Sequence, residues 1–288
     1  MKKVILSSHQ AGLFVATLAI STAAPLFRQI GDIEPLLAAS LRLLFAGVIL
    51  LLIGGHRFNQ LDTEKLKGAL LCAVFYALHF GAWVTSLQYT TIAASVTLVT
   101  TTPIMLLCLS FFRGLPVQKS QGLSCLVALI GVIFIVGADW QTSSDALWGD
   151  LLALIGAMAM AGYFLVVKPL NELPLRPFMC LTALVSGTLL LFICWVSSPN
   201  ALQTVDSSHL QWLAILALGP HLIGHGLLTW SLRSTTSTSV ALATVGEPAG
   251  SAILAYIFFG EFITAWAMLG CALTLGAIYL GTRQSQPG

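Results

Sequence analysis

Ten long apolar segments, separated by short loops, constrain the fold of this chain more than any other feature of its sequence. A helix that crosses a bilayer needs about 20 predominantly apolar residues. Segments of that kind lie at residues 10–28, 34–54, 66–87, 91–112, 120–138, 147–168, 176–196, 209–230, 235–259 and 263–282. Only 8% of the residues are charged, whereas a soluble domain carries about 25%. We therefore predict an all-α polytopic membrane protein with ten transmembrane helices.

The distribution of Lys and Arg predicts how these helices are oriented. Cytoplasmic loops of membrane proteins carry an excess of both residues. If the N-terminus is cytoplasmic, all 13 Lys and Arg residues except Arg28 and Arg42 fall in segments on the cytoplasmic side. We therefore expect a multi-pass protein of the plasma or inner membrane with both termini in the cytoplasm. The N-terminal apolar run is counted as the first span, and not as a signal peptide, because this count agrees with the charge pattern.

The two halves of the chain are similar to each other at an offset of 145 residues. At this offset Pro103 aligns with Pro248, and the Ser-Leu pair that ends the third span aligns with the pair that ends the eighth. We predict two five-helix repeats, at residues 1–143 and 144–288. Because five is an odd number, the second repeat must be inserted upside down relative to the first. Inverted repeats of this kind are typical of secondary transporters, whose binding site lies near the midplane where the repeats meet.

This combination of spans, repeat and proline positions resembles the ten-helix EamA-type branch of the drug/metabolite transporter superfamily. The resemblance covers nearly the whole chain, and its most typical stretches are Pro103, Gly149-Asp150-Leu151-Leu152, Glu247-Pro248 and Phe259-Gly260-Glu261. It implies a secondary transporter, usually an exporter, of small metabolites such as amino acids. It also implies alternating access through a cavity built mainly from helices 1, 3, 4, 6, 8 and 9. Some relatives move drugs or nucleotide sugars instead, so the substrate stays open.

Polar and aromatic side chains form matching stripes on spans 3 and 8. Tyr76, His79 and Trp83 share one face of a helix because they are three and four residues apart. His221 and His225 are four residues apart and align with the same face at the offset of 145. These side chains either line a cavity or only pack helices together, and we favour the cavity because intramembrane polar groups face a bundle interior or a pathway. The predicted substrate-binding residues are Tyr76, His79, Trp83, Tyr163, His221, His225 and Glu247.

Glu247 lies in the middle of the ninth span, directly before Pro248. A carboxylate at bilayer depth is costly and is by default a functional hypothesis. An ionised Glu247 could attract a cationic substrate, and a protonatable one could couple transport to a proton gradient. In a structural role, it would tie the backbone loosened by Pro248 to a neighbouring helix. The residues alone leave these three alternatives open.

Three prolines and one arginine within the spans are predicted to act in gating. Pro103, Pro220 and Pro248 each remove a backbone donor and kink their helix, so we expect them to act as hinges. Arg42 lies about 10 Å into the second helix at 1.5 Å per residue. It could snorkel to the interface, or form an outer-gate or structural pair with an acidic residue at the start of the helix, Asp32 or Glu34.

Other classes of function have little support in the sequence. An intramembrane enzyme would need a nucleophile–base pair, a diphosphate site with two aspartates or a metal motif, and none is found at depth. His221 and His225 with Glu247 could supply three zinc ligands, but no further residue completes the site. A channel would more naturally show a ring of like residues. We expect no cofactor and no nucleic-acid partner, only a small-molecule substrate and the lipid bilayer, and the oligomeric state stays open.

Overall fold

The computed structural model describes residues 8–114, 119–140, 143–170, 174–233, 235 and 237–283, and these fold into ten helices. Where a helix has several segments, a break or an irregular turn separates them. The helices are α1 (Ser8–Ser21 and Ala23–Ile30), α2 (Pro35–Leu50 and Leu51–Gly55), α3 (Thr63–Ser86), α4 (Ile92–Val99 and Thr102–Phe112), α5 (Lys119–Trp140), α6 (Ser144–Val167), α7 (Leu175–Ser197), α8 (Ser207–Leu216, Ala217–His225 and Gly226–Ser231), α9 (Ser237–Ala243, Thr244–Gly246 and Glu247–Phe259) and α10 (Ala265–Arg283).

The all-α class and the ten predicted spans are confirmed. Over the described residues, seven helices are long and apolar enough to cross a membrane. The other three, α5, α9 and α10, contain shorter apolar stretches at Gly122–Ile135, Thr244–Phe259 and Ala265–Ala277.

Several helices begin at a polar side chain that accepts a hydrogen bond from the first turn. Glu34 caps α2 by accepting from the Leu37 backbone N–H, and Asp62 caps α3 by accepting from the Lys65 backbone N–H. Such caps satisfy donors that the helix leaves without an internal partner. The Lys65 side chain also bonds to Asp62 and, together with the backbone bonds, holds the pKa of this exposed carboxyl below its ordinary value.

The pairing of α2 with α7 shows that the two halves are inverted. Gly47 of α2 packs against Leu184 of α7, and Gly187 of α7 packs against Leu44 of α2. Residue numbers rise along one helix as they fall along the other, so the two helices are antiparallel. Because α2 and α7 hold the same place in their halves, the second half runs through the bundle in the opposite direction.

The other helix pairs follow the same pseudo-two-fold relation. The fifth helix of each half packs on the other, α5 on α10. The third helix of the first half packs along the first helix of the second, α3 on α6, and the reciprocal pair α8 on α1 is also in contact. When the halves are swapped, the α5–α10 pair is therefore exchanged with itself and the α3–α6 pair with the α8–α1 pair. The exact boundary between the repeats, placed at residues 143 and 144, stays a prediction.

Gly131→Ala is expected to destabilise the protein through the α5–α10 contact. A Cβ at residue 131 would lie 2.7 Å from the Gly270 carbonyl oxygen and 2.8 Å from the Thr274 nitrogen, and backbone atoms cannot move aside cheaply. Overpacking of this kind costs about 1–3 kcal/mol. Gly122→Ala on the same helix is the control, since a Cβ there would meet nothing within 4 Å. Thermal unfolding in detergent should show a lower melting temperature for the first variant only, and equal values would contradict the close approach.

Both α4 and α9 are interrupted just before a proline. The first segment of α4 ends at Val99, two residues before the second segment, which has Pro103 in its first turn. In α9 the tighter turns of Thr244–Gly246 precede the segment that has Pro248 in its first turn. Proline lacks a backbone N–H and clashes with the carbonyl four residues earlier, so a helix reaching it from the N-terminal side loosens there. The two breaks occupy equivalent positions in the halves, whereas their function as hinges stays a prediction.

The middle of α8 is widened into π-helical turns over Ala217–His225, which contain Pro220. Such wide turns often occur where the regular hydrogen-bond ladder is disturbed, and they are frequent at functional sites. They place His221 and His225, both buried, at the centre of the bundle.

Candidate functional site

A small cavity of about 40 Å³ lies at the centre of the bundle, at the level of the breaks in α4 and α9. It is lined by the six helices that the family resemblance implies. The lining residues are Ile20 and Ala23 of α1, His79 and Trp83 of α3, Val99, Thr100 and Thr102 of α4, Met160 and Phe164 of α6, His225 and Leu228 of α8, and Thr244 and Glu247 of α9.

The predicted binding residues fall into two layers. His79, Trp83, His225 and Glu247 line the cavity itself. The His79 Nδ1 atom lies 2.9 Å from the Gly156 carbonyl oxygen. A carbonyl can only accept, so Nδ1 carries the proton in this bond. The imidazole also lies nearly parallel to the Trp83 ring, with centroids 6.2 Å apart, so α3 and α6 together fix the orientation of His79.

Behind the cavity, Tyr76 and His221 join an aromatic cluster on the pseudo-two-fold axis. The Tyr76 and His225 ring centroids are 6.0 Å apart, and those of Phe80 and His221 are 5.8 Å apart. These two contacts are equivalent, because at the offset of 145 Tyr76 corresponds to His221 and Phe80 to His225. The matched stripes of α3 and α8 therefore meet face to face, in agreement with the sequence argument that placed them there.

Tyr163 belongs to the same outer layer. Its ring stacks on Tyr76 with centroids 4.3 Å apart, and its hydroxyl lies 3.0 Å from the Thr229 hydroxyl. Tyr163 thus supports the rings that contact the cavity without lining it. Among the described residues, no group of three His, Cys, Asp or Glu side chains could hold a metal ion.

Glu247 begins the third segment of α9 and faces the cavity with 8% of its surface exposed. No described residue donates a hydrogen bond to its carboxyl. The equivalent residue of the first half is Thr102, which also lines the cavity and donates to the carbonyls of Val99 and Ala157. The pseudo-two-fold symmetry of the site is therefore broken by a carboxyl on the α9 side.

Arg42 is fully buried beside the aromatic cluster. The guanidinium carbon lies 4.5 Å from the centroid of the Phe80 ring and 5.4 Å from that of Phe27. Within the described part of the chain, none of its three nitrogens has a hydrogen-bond partner. It interacts electrostatically with Glu247 and Tyr76.

The expected pair of Arg42 with Asp32 or Glu34 is wrong. Glu34 is used as the cap of α2 and also accepts from the Cys194 thiol, 3.2 Å away. Arg42 lies two turns further along the helix and turns into the bundle, away from the interface. Among the described residues Arg42 has no ion pair within 4.0 Å, and its electrostatic interactions are with Tyr76 and, from the second half of the chain, Glu247.

Sequence reasoning missed the threonines and most of the apolar lining. Thr100 and Thr102 had a usable signal, since three threonines in a row precede Pro103 within an apolar span. Thr244 shares that setting before Pro248. Met160 and Phe164 had no such signal in the sequence, because similar apolar side chains cover the lipid-facing surfaces of every span.

Both halves of the chain match the same protein-family model, that of the EamA-like transporter family, over residues 10–137 and 147–283. An uncharacterized transporter from Archaeoglobus fulgidus is 21% identical over 280 residues, which cover 96% of this chain and 96% of the relative. A crystal structure of another protein superposes with a TM-score of 0.68 at 17% identity, covering 96% of this chain and 97% of that one. The last similarity concerns the fold alone.

Proposed function

The chain belongs to the EamA-like transporter family, and we propose that it is a secondary transporter that exports small organic metabolites, such as amino acids, by alternating access. It is a multi-pass membrane protein of a transporter family and not of an enzyme family. The proposal places it in the plasma or inner membrane, with both termini in the cytoplasm. The observation that supports this mechanism is the small cavity on the axis between two inverted halves, lined by six helices.

The size of the cavity supports a transport cycle. Ligand sites usually measure about 300–1,000 Å³, and the volume found here, about 40 Å³, holds no more than a few water molecules. The cavity is therefore too small for a substrate as it stands, and binding requires the surrounding helices to separate. The breaks before Pro103 and Pro248 lie at the level of the cavity, which is where bending would widen it.

The side chains that line the cavity narrow the range of substrates that could bind there. Glu247 can attract a cationic group, and His79 and the threonines offer further polar contacts. Trp83, Met160 and Phe164 supply an apolar wall for the rest of the molecule. Amino acids and apolar cationic drugs both fit this description, so the second candidate is a multidrug transporter. A nucleotide sugar fits less well, because its diphosphate would be expected to meet Lys or Arg, and neither is found among the described residues that line the cavity.

A substrate is expected to raise the melting temperature of the purified protein, and to raise it further as the ligand concentration increases. A ligand present at 100 times its Kd stabilises the folded state by about 2.7 kcal/mol. The measurement is a thermal-shift screen of amino acids, nucleosides, sugars and cationic drugs, followed by uptake of each hit into proteoliposomes.

Two tryptophan variants test whether binding takes place in this cavity. Trp83→Ala should lose the ligand-induced shift, whereas Trp195→Ala should keep it, because Trp195 is an exposed residue of α7 far from the lining. The ligand-induced change in melting temperature is compared, and not the melting temperature without ligand, so that an effect on folding is not mistaken for an effect on binding. Equal ligand-induced shifts in both variants would move the binding site elsewhere.

A further inference from the structure

Arg28, in the last turn of the broken helix α1, ties that helix to the turn between α3 and α4. Its Nη2 atom donates to the carbonyls of Leu87, 2.8 Å away, and Thr90, 3.2 Å away. Glu261 completes the group, since its Oε2 atom lies 3.7 Å from Arg28 Nη1 and its Oε1 atom accepts the Ile92 backbone N–H. We refer to these five residues as the Arg28 clamp.

Lys168, directly after α6, ties that helix to the turn between α8 and α9. Its Nζ atom donates to the carbonyls of Leu232, 3.0 Å away, and Thr235, 2.6 Å away. The two carbonyls lie 145 residues after the two held by Arg28, which is the offset of the internal repeat. We refer to these three residues as the Lys168 clamp. A basic side chain therefore donates to the same two backbone positions in each half.

The two clamps lie at opposite ends of the helices that surround the cavity. The turn held by Arg28 follows the end of α3, whereas Gly68, in the first turns of α3, packs against Leu170, two residues after Lys168. The 24 residues of α3 span about 36 Å at 1.5 Å per residue. The Arg28 clamp also borders a vestibule of about 540 Å³, which Arg28 and Glu261 help to line.

Each clamp crosses the seam between two groups of helices. On one side, α3 and α4 pack on α6, and on the other side, α8 and α9 pack on α1. The cavity lies between these groups and is lined by all six helices. Arg28 reaches from α1 to the α3–α4 turn, and Lys168 reaches from α6 to the α8–α9 turn. Each side chain therefore holds the two groups together at one end of the cavity.

We propose that the Arg28 clamp and the Lys168 clamp are the two gates of the pathway, which open in turn. Releasing the hydrogen bonds of one clamp lets the helix groups part at that end while the other clamp keeps the far end closed. Arg28 and Lys168 suit this role because their long side chains bond to carbonyls, which are present whatever the substrate. The inference rests on the alternating-access function proposed above and adds the residues that control access.

The test is access of an impermeant maleimide to the cavity from each side of the membrane. A reporter cysteine replaces Thr100 in a variant whose native cysteines are serines, and labelling is compared in right-side-out and inside-out vesicles. Arg28→Gln should raise labelling at least tenfold from one side only, and Lys168→Gln should do so from the opposite side only. Arg28→Lys and Lys168→Arg, which retain a donor, should stay near the parent rate.

The assignment of gates would be overturned if labelling rises equally from both sides in either variant. It would also be overturned if labelling rises in neither variant. Glu261→Gln provides a milder variant that keeps Arg28 in place, and it should act from the same side as Arg28→Gln. Melting temperatures of all variants show that folding is retained. The experiment needs no substrate, so a failed transport assay beside side-specific labelling would count against the proposed substrates and leave the gates standing.

Discussion

Glu247→Gln is expected to remove the pH dependence of transport and to lower the gradient-driven rate by about tenfold or more, equivalent to ~1.4 kcal/mol or more. Glu247 is the carboxyl that lines the cavity, and no described residue donates a hydrogen bond to it. It can therefore exchange a proton with the substrate or with water when either end opens. Glutamine keeps the shape of the side chain but cannot release a proton. The measurement is uptake of a substrate from the thermal-shift screen into proteoliposomes, at several pH values and with imposed pH gradients.

Thr102→Val is the matched control for this prediction. Thr102 lines the cavity at the position equivalent to Glu247 and also precedes a proline. Losing its hydroxyl should alter the rate without changing the pH profile, since threonine has no proton to exchange near neutral pH. If Glu247→Gln keeps the parent pH profile, proton coupling through Glu247 is refuted, and the carboxyl retains a structural or substrate-binding role.

The architecture could be predicted because a bilayer leaves few choices to the backbone. Every buried N–H and C=O must be satisfied within the chain, so long apolar segments become helices. Hydropathy then predicts their number. The repeat of Pro103 at Pro248, with an odd number of spans in each half, predicts that the two halves are inverted. The same repeat placed Tyr76 and His221 on facing helices, where the structure finds their rings 5.9 Å apart.

The contacts between side chains and backbone carbonyls could not be predicted in this way. Arg28 and Lys168 bond to carbonyls, which every residue carries, so no residue type marks their partners in the sequence. Arg42 was misassigned for a related reason. Nearness in sequence favours Glu34, whereas the fold places the Arg42 guanidinium over the Phe27 and Phe80 rings. Its interaction with Glu247, 205 residues away in sequence, acts at longer range. Costly polar groups can be found from sequence, but the choice among their partners depends on the packed bundle.

The electrostatic interaction between Arg42 and Glu247 predicts that substitutions of these two residues are coupled. The two side chains share no hydrogen bond and no ion pair within 4.0 Å, so the interaction acts at longer range. In a cycle of Arg42→Met and Glu247→Gln, the change in the free energy of unfolding caused by one substitution should depend on whether the other is present. The difference is expected to be about 0.5–3 kcal/mol. Unfolding in detergent, followed by circular dichroism, gives all four values of the cycle.

Arg42→Lys separates the charge of Arg42 from its contact with the rings. Lysine keeps the positive charge but not the planar guanidinium that lies over Phe80. Arg42→Lys should therefore change the free energy of unfolding by less than Arg42→Met does. The coupling would be contradicted if the change in the free energy of unfolding of the double variant equals the sum for the two single variants to within about 0.5 kcal/mol. In that case the aromatic rings alone hold Arg42, and Glu247 is left without a fixed counter-charge. If the two residues are coupled, each proton taken up by Glu247 also changes the electrostatic interaction that acts on Arg42. Protonation at the cavity would then be linked to the packing of α2 and α3 behind it.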